Sequence, residues 1–173
     1  SASGGAAQVK GMSLFHSIWA PDFYNASLVN NLVDQYGISL IRAAMTVDSV
    51  DGGYLTNPGT EQARIVTIAD AAISKGIYVL IDWHEEQAVQ HQSQSIAFFT
   101  AMANKYKNVP NVIFEIYNEP NGPSWSQIKP YAEAVIGAIR NAGANNLVIV
   151  GTPTWSQDVD AAALDPITKY SNV

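Results

Sequence analysis

The sequence contains no cysteine, which excludes disulfides and thiolate-bound metals and leaves the redox compartment unread. Charged residues make up only 14 % of the 173 positions, and the formal net charge is -6. Lys and Arg are scattered rather than clustered, so the basic stripe that nucleic acid requires is missing. No uninterrupted apolar run is long enough to span a bilayer. Nor is there a Walker sequence, and Gly11-Met12-Ser13, in the first apolar segment, is no GxGxxG phosphate turn. Together these absences point away from nucleic acid, membrane and nucleotide, and toward a neutral or weakly charged ligand.

What is present suits one soluble domain. Hydrophobic residues account for 47 % of the chain, enough for a sizeable core. Residues 1–7, Ser-Ala-Ser-Gly-Gly-Ala-Ala, read as a linker or processing remnant with no charged leader before it, so any secretory signal is expected to have been removed already. The folded part is expected over 8–173. Within it, runs rich in Val, Ile, Leu and Tyr at 38–44, 77–83, 112–117 and 147–150, with a weaker one at 8–14, read as buried strands. Stretches of helical length and period lie between them, at 25–36, 61–75, 93–106 and 127–141, and Gly37 and Gly76 stand where C-terminal glycines stop a helix. Strand and helix therefore alternate, which calls for an α/β fold with a parallel sheet and right-handed crossovers. An open doubly wound sheet and a closed β/α barrel both satisfy that pattern, and the missing phosphate turn favours the barrel. Five βα units fit the length, and Tyr170-Ser171-Asn172-Val173 reads as the start of a sixth strand. A barrel truncated there would leave two sheet edges bare, so self-association is expected, and a monomer at high dilution in light scattering counts against it.

In such a barrel the chemistry collects where strands end. Strand two ends in Arg42, strand three in Asp82-Trp83-His84, strand four in Asn118-Glu119-Pro120, and strand five in Gly151-Thr152-Pro153-Thr154-Trp155. Glu119, at the mouth of an apolar segment, is either a proton donor or a solvated strand-end carboxylate. Asn118 either binds a substrate hydroxyl or forms a turn. Glu115 lies inside its strand and needs a buried partner, for which Arg42 is the candidate. His84 is either a donor to a sugar hydroxyl or a satisfied structural residue; a metal reading with the consecutive Glu85 and Glu86 is weak, because neighbours in sequence do not converge on one ion. Trp19, Tyr54, Trp125 and Trp155 fall in or beside the rim loops, where pyranose rings could pack; Trp83 reads as core, and Trp125 has the alternative of packing at the start of its helix, which leaves Trp19 and Trp155 as the better platforms.

Beyond these local readings, an ordered set of fragments resembles the bacterial cellulases of glycoside hydrolase family five. The fragments are Val9-Lys10-Gly11-Met12-Ser13, Ile41-Arg42-Ala43-Ala44-Met45, Gly52-Gly53-Tyr54, Ile81-Asp82-Trp83-His84, Ile116-Tyr117-Asn118-Glu119-Pro120, Ile128-Lys129-Pro130-Tyr131-Ala132 and Val150-Gly151-Thr152-Pro153-Thr154-Trp155-Ser156-Gln157-Asp158-Val159. They run in order through nearly the whole chain. The resemblance implies an eight-fold β/α barrel, a secreted, extracellular bacterial enzyme, and retaining hydrolysis of internal β-1,4-glucosidic bonds in cellulose or cello-oligosaccharides, with no metal or organic cofactor. It assigns Glu119 as general acid/base, Asn118 as ligand of the sugar 2-hydroxyl, Arg42 and His84 as supports of the site, and Trp155 and Trp19 as stacking platforms; Tyr54, from its rim loop, and His16, beside Trp19, complete the candidate substrate-binding set.

This sequence departs from the family at His16, where relatives carry a Trp or a small residue. It also lacks the later His-x-Tyr element, the nucleophile Glu and the final Trp that follow on strands six to eight. Retention needs two carboxyl groups about 5 Å apart. Glu115, four residues back along a strand rising about 3.3 Å per residue, is roughly 13 Å from Glu119 at backbone level. Glu85 and Glu86 lie on a loop that looks mobile. Little hydrolysis by this chain alone is therefore expected. Two further readings stand beside this one: a non-catalytic glucan-binding or assembly module, and a related hydrolase of mannan, licheninan or xyloglucan.

Overall fold

The first helix begins because Asn25, in extended conformation, accepts the Leu28 N–H at 2.9 Å, satisfying a donor the helix itself cannot. Helix α1 (Ala26–Tyr36) ends at Gly37, whose φ of 63° is a left-handed turn that glycine adopts without a Cβ clash. Gly76, with φ 71°, closes α2 (Pro58–Ser74) in the same way. Helices α3 (Gln92–Tyr106) and α4 (Trp125–Asn141) follow. The start of α4 lies two residues before the position expected from its apolar period, because Ser124 and Gln127 form a reciprocal capping box and draw Trp125 into the first turn. The computed structural model describes residues 8–173, so the expected linker at 1–7 lies outside the described residues.

Between the helices run β1 (Gly11–Ser13), β2 (Leu40–Thr46), β3 (Tyr78–His84), β4 (Val112–Glu115) and β5 (Val148–Ile149). All pairings are parallel and the order across the sheet is β1-β2-β3-β4-β5. A doubly wound sheet reverses its strand order at a switch point; here each strand is simply added beside its predecessor, as in the wall of a β/α barrel.

Alternation along the strands separates core from site. Ile41, Ala43 and Met45 of β2, Val79, Ile81 and Trp83 of β3, and Val112 and Phe114 of β4 are fully buried and join the helices in one core cluster. The intervening positions point to the opposite face. On that face Leu40 and Leu80 come first, and Arg42, Asp82, Glu115 and His84 follow toward the strand ends, so one sheet packs apolar on one side and assembles charge on the other. Asp82 and Glu115 are direct partners in the parallel register.

One expectation changes on the core side, and one alternative is decided. Tyr54, placed among the sugar-binding aromatics by its sequence neighbourhood, is only 8 % exposed and packs edge-on against Trp83 and Phe98, at 5.2 and 5.4 Å between ring centroids. The Tyr54 N–H donates to Thr46 O at 2.9 Å, which folds the loop after β2 back over the core and takes the ring from the rim. Trp125 likewise packs inward, its indole N–H donating to Asp165 O at 2.8 Å.

Candidate active site

Arg42 organises the polar face. Its Nε donates to Glu115 Oε2 at 2.7 Å and its Nη2 to Glu115 Oε1 at 3.0 Å, a two-pronged pairing that suits a planar guanidinium. The same Nη2 lies 2.8 Å from Asp82 Oδ2 and 2.7 Å from Asn118 Oδ1. The partner expected for Glu115 is thus Arg42. Because Asn118 spends its oxygen on Arg42, its NH2 is the group left to donate to a ligand.

The network continues through histidine. His84 Nδ1 is 2.6 Å from Asp82 Oδ2, and His84 Nε2 is 3.1 Å from His16 Nε2. Asp82 Oδ2 already faces the Arg42 cation, so it accepts from His84 Nδ1–H, and His84 Nε2 then accepts from His16 Nε2–H. Burial first, then the Arg42 charge, pushes His84 down to about 4. His16 is pushed down to about 4 by burial, His84 and Arg42 in that order. Burial raises the Asp82 carboxyl, against the pull of Arg42 and with the help of Glu119.

These shifts set a pH dependence. The unfolded chain protonates His16 near its ordinary 6.5 while the folded chain does so near 4, so unfolding takes up a proton between those values and stability falls as pH drops through that window. Asp82 and His84 act on that slope in opposite directions, a raised carboxyl favouring acid and a lowered imidazole opposing it. The raised carboxyls of Glu85 and Glu115 act the other way, so the test is differential: the thermal midpoint of the parent is expected to lose ground to that of His16→Asn as pH drops from 6.5 to 4, and a constant difference between the two would remove His16 as an origin of the slope.

Glu119 lies just beyond the end of β4 and is exposed. It shares a cleft of about 380 Å³ with His16, Asp48, His84, Glu85 and Asn118. Among the described residues the cleft around Glu119 is built from polar loop ends rather than the apolar surround its strand suggests, because Val112 and Phe114 of β4 face the helices. The loop bearing Glu85 and Glu86 is also better fixed than its sequence suggests. Tyr117 donates its hydroxyl to Glu86 O at 3.0 Å, Asn121 its side-chain amide to Glu86 Oε2 at 3.1 Å, and the Gln87 N–H caps Glu85 Oε1 at 2.7 Å. His91 ends a short 3-10 turn, Ala88–His91, with its Nε2 3.9 Å from Asp48. Among the described residues no group of three or more His, Asp or Glu is arranged to hold a metal ion.

A second anchor positions the loop after β1. Ser17 Oγ accepts the Thr46 N–H at 2.9 Å and donates to the buried Glu61, which also receives Arg64. This ties His16 and Trp19 to the end of β2. Trp19, 51 % exposed, donates its indole N–H to Asp51 Oδ2 at 3.0 Å and stands beside His16, with ring centroids 4.5 Å apart. Asp82 carries one sequence signal of its role, an acid between the apolar Ile81 and Trp83, whereas Glu61, between Thr60 and Gln62, carries none.

Trp155, 45 % exposed, occupies the far side of the rim in a turn over Pro153–Ser156. Thr154, Trp155 and Ser156 have φ of 57°, 54° and 63°, three consecutive left-handed residues without a glycine. The Trp155 N–H donates to Pro120 O at 3.0 Å, and Ser156 Oγ to Asn118 O at 3.1 Å. Gly151 lies so close to the same segment that a Cβ would come within 2.7 Å of Tyr117 O, Asn118 O and Pro120 Cδ. The structure thus brings Arg42, His84, His16, Asn118 and Glu119 together and leaves Trp19 and Trp155 with exposed faces.

Comparison with known proteins follows the same outline. The sequence profile of Cellulase (glycosyl hydrolase family 5) matches residues 1–173. Endoglucanase Z of Dickeya dadantii is 51 % identical over 161 residues, covering 91 % of this chain. An endoglucanase of Clostridium saccharobutylicum is 44 % identical over 171 residues, covering 96 % of it. The matched region is 38 % of the length of each of these relatives. The catalytic domain of Thermobifida fusca endoglucanase Cel5A, solved in complex with cellotetraose, superposes with a TM-score of 0.89 at 32 % identity, covering 96 % of this chain and 57 % of that one.

Proposed function

This chain belongs to the cellulase family, glycosyl hydrolase family 5, and from that membership we propose that residues 8–173 carry the acid/base side of an endo-β-1,4-glucanase site. The observation that supports this most is the placement of Asn118 and Glu119 side by side on one cleft, above an Arg42 whose fork holds Asn118 and Glu115 in place. In this reading Glu119 protonates the glycosidic oxygen as the bond to the anomeric carbon breaks, and the bonding pair leaves with that oxygen. The Asn118 NH2 donates to the neighbouring 2-hydroxyl. His84 and Arg42 are supports of this pair. Trp19 and Trp155 offer the apolar faces on which sugar rings stack, and His16 borders the Trp19 side.

A retaining route requires a second carboxylate at about 5 Å. Glu115 and Asp82 are committed to Arg42, so we assign neither as nucleophile and expect it from outside this pair. The substrate proposed is a β-glucan or cello-oligosaccharide, and since a polymer of that kind is met outside the cell, we propose extracellular action. No helix among the described residues is long and apolar enough to cross a membrane.

Calorimetry with cellotetraose is expected to show binding by the chain and by Glu119→Gln alike. Any reducing sugar that the chain releases from a soluble β-1,4-glucan is expected to fall by about a hundred-fold or more in Glu119→Gln. Release that survives the substitution, or no cellotetraose binding at millimolar concentration, overturns the proposal. Binding without release by either protein favours a glucan-binding module, a reading that the exposed Trp19 and Trp155 also support.

A further inference from the structure

We propose that Ser156 is a positioning residue for Glu119, acting through a left-handed turn that fastens the sugar platform Trp155 and the proton donor into one rigid unit. This rests on the glucan reading above for its ligand, but the geometry stands independently. Three successive non-glycine residues at φ of 57°, 54° and 63° occupy a conformation that L-residues disfavour and that persists only where the surroundings over-determine it. The surroundings here are specific. The turn closes on itself through Ser156 N–H to Thr152 O at 2.9 Å and Gln157 N–H to Thr154 O at 3.1 Å. It then reaches out with two donors, the Ser156 hydroxyl to Asn118 O and the Trp155 N–H to Pro120 O.

Those two acceptors flank Glu119 in sequence, one on each side, so the peptide that carries the acid is held at both ends. An ordinary right-handed turn would direct the Ser156 side chain elsewhere and release one of them. Gly151 completes the fit, since any side chain there would collide with the same peptide. The Glu119 carboxylate itself is exposed and free to meet a ligand, while its backbone is not free to drift. A sugar ring stacked on Trp155 thereby meets an acid at a fixed offset.

The test compares the chain with Ser156→Ala, which loses the hydroxyl, Ser156→Gly, which loses it while relieving the left-handed strain, and Trp155→Ala, which loses the platform but keeps the clamp. The readouts are 15N relaxation at the Glu119 amide, calorimetry with cellotetraose and the thermal midpoint. Both Ser156 variants are expected to lower the Glu119 order parameter from about 0.85 toward the flexible range below about 0.6. They are also expected to weaken cellotetraose binding by about five-fold, the worth of one hydrogen bond. Trp155→Ala weakens binding with Glu119 still rigid. An unchanged Glu119 order parameter in both Ser156 variants overturns the assignment, as does loosening spread over the whole chain, or loosening with no change of affinity in a chain that binds. Loosening confined to residues 118–120 in a chain that never binds cellotetraose leaves the positioning role standing and removes the glucan reading.

Discussion

Replacing Arg42 with methionine is expected to lower the thermal midpoint by on the order of 10 °C at pH 8, because it removes the common partner of two enclosed carboxylates. Breaking such a pair from one side costs about 3–5 kcal/mol, and each kcal/mol corresponds to about 2–4 °C in a chain of this size. Asp82 is fully buried and the Glu115 side chain only 13 % exposed, so water replaces little of what Arg42 supplies. The loss has a signed pH dependence. Burial already raises Asp82, and without Arg42 nothing pulls it back, so the folded variant holds a proton there that the unfolded chain gives up near its ordinary value. Stability from that proton is present at low pH and is lost as pH rises. The variant is therefore expected to be less damaged at pH 5 than at pH 8, as circular dichroism melts at the two pH values would show. A variant that melts at pH 8 like the parent would mean that the carboxylates do not depend on Arg42.

The second large effect belongs to Trp83, in the same strand as Asp82 and His84 but on its other face. Trp83→Ala is expected to cost about 3–5 kcal/mol in denaturant unfolding, the range for a fully enclosed large aromatic. The indole is wholly buried and touches Tyr54, Phe98 and Phe99. Trp155→Ala, at a residue 45 % exposed, is expected to stay within about 0.5 kcal/mol of the parent. Equal costs for the two would contradict the separation of the strands into a core face and a site face.

The alternation of elements, not the separation of faces, is legible in the sequence. The strand runs are rich in Val, Ile and Leu, and the helix between Pro58 and Ser74 repeats its apolar positions at helical spacing, so the parallel sheet follows from pattern. Boundaries shifted where a backbone partner, not a side chain, decides them: Ile38 and Ser39 look like strand but only lead into it, Ser39 donating to Lys10 O. Among the candidate site residues, His84 closes its strand and Asn118 and Glu119 follow the end of theirs, whereas Arg42 lies inside β2, which runs on to Thr46. Tyr54 departs from its expected place on the rim, because a loop can carry an aromatic either way and sequence does not reveal which way it folds back. The Asp82 hub escaped notice for a related reason. Its partners are forty residues before it and two after it, and only the register of the sheet brings the former near. The turn at Thr154–Ser156 was the least legible feature, since glycine is the usual mark of a left-handed residue and none is present there.

The simple strand order has a consequence for how such a site comes into being during synthesis. Each strand finds its partner already made, so the growing chain can lay down the wall one unit at a time from its N-terminal end. Arg42 and Asp82 meet as soon as the third strand is in place, whereas Glu115 arrives 73 residues after Arg42. During that interval the guanidinium is balanced by Asp82 alone, and the cluster gains its second carboxylate only when the fourth strand docks. Until then a proton on Asp82 would leave a bare cation on the future ligand face, a state that the arrival of Glu115 removes.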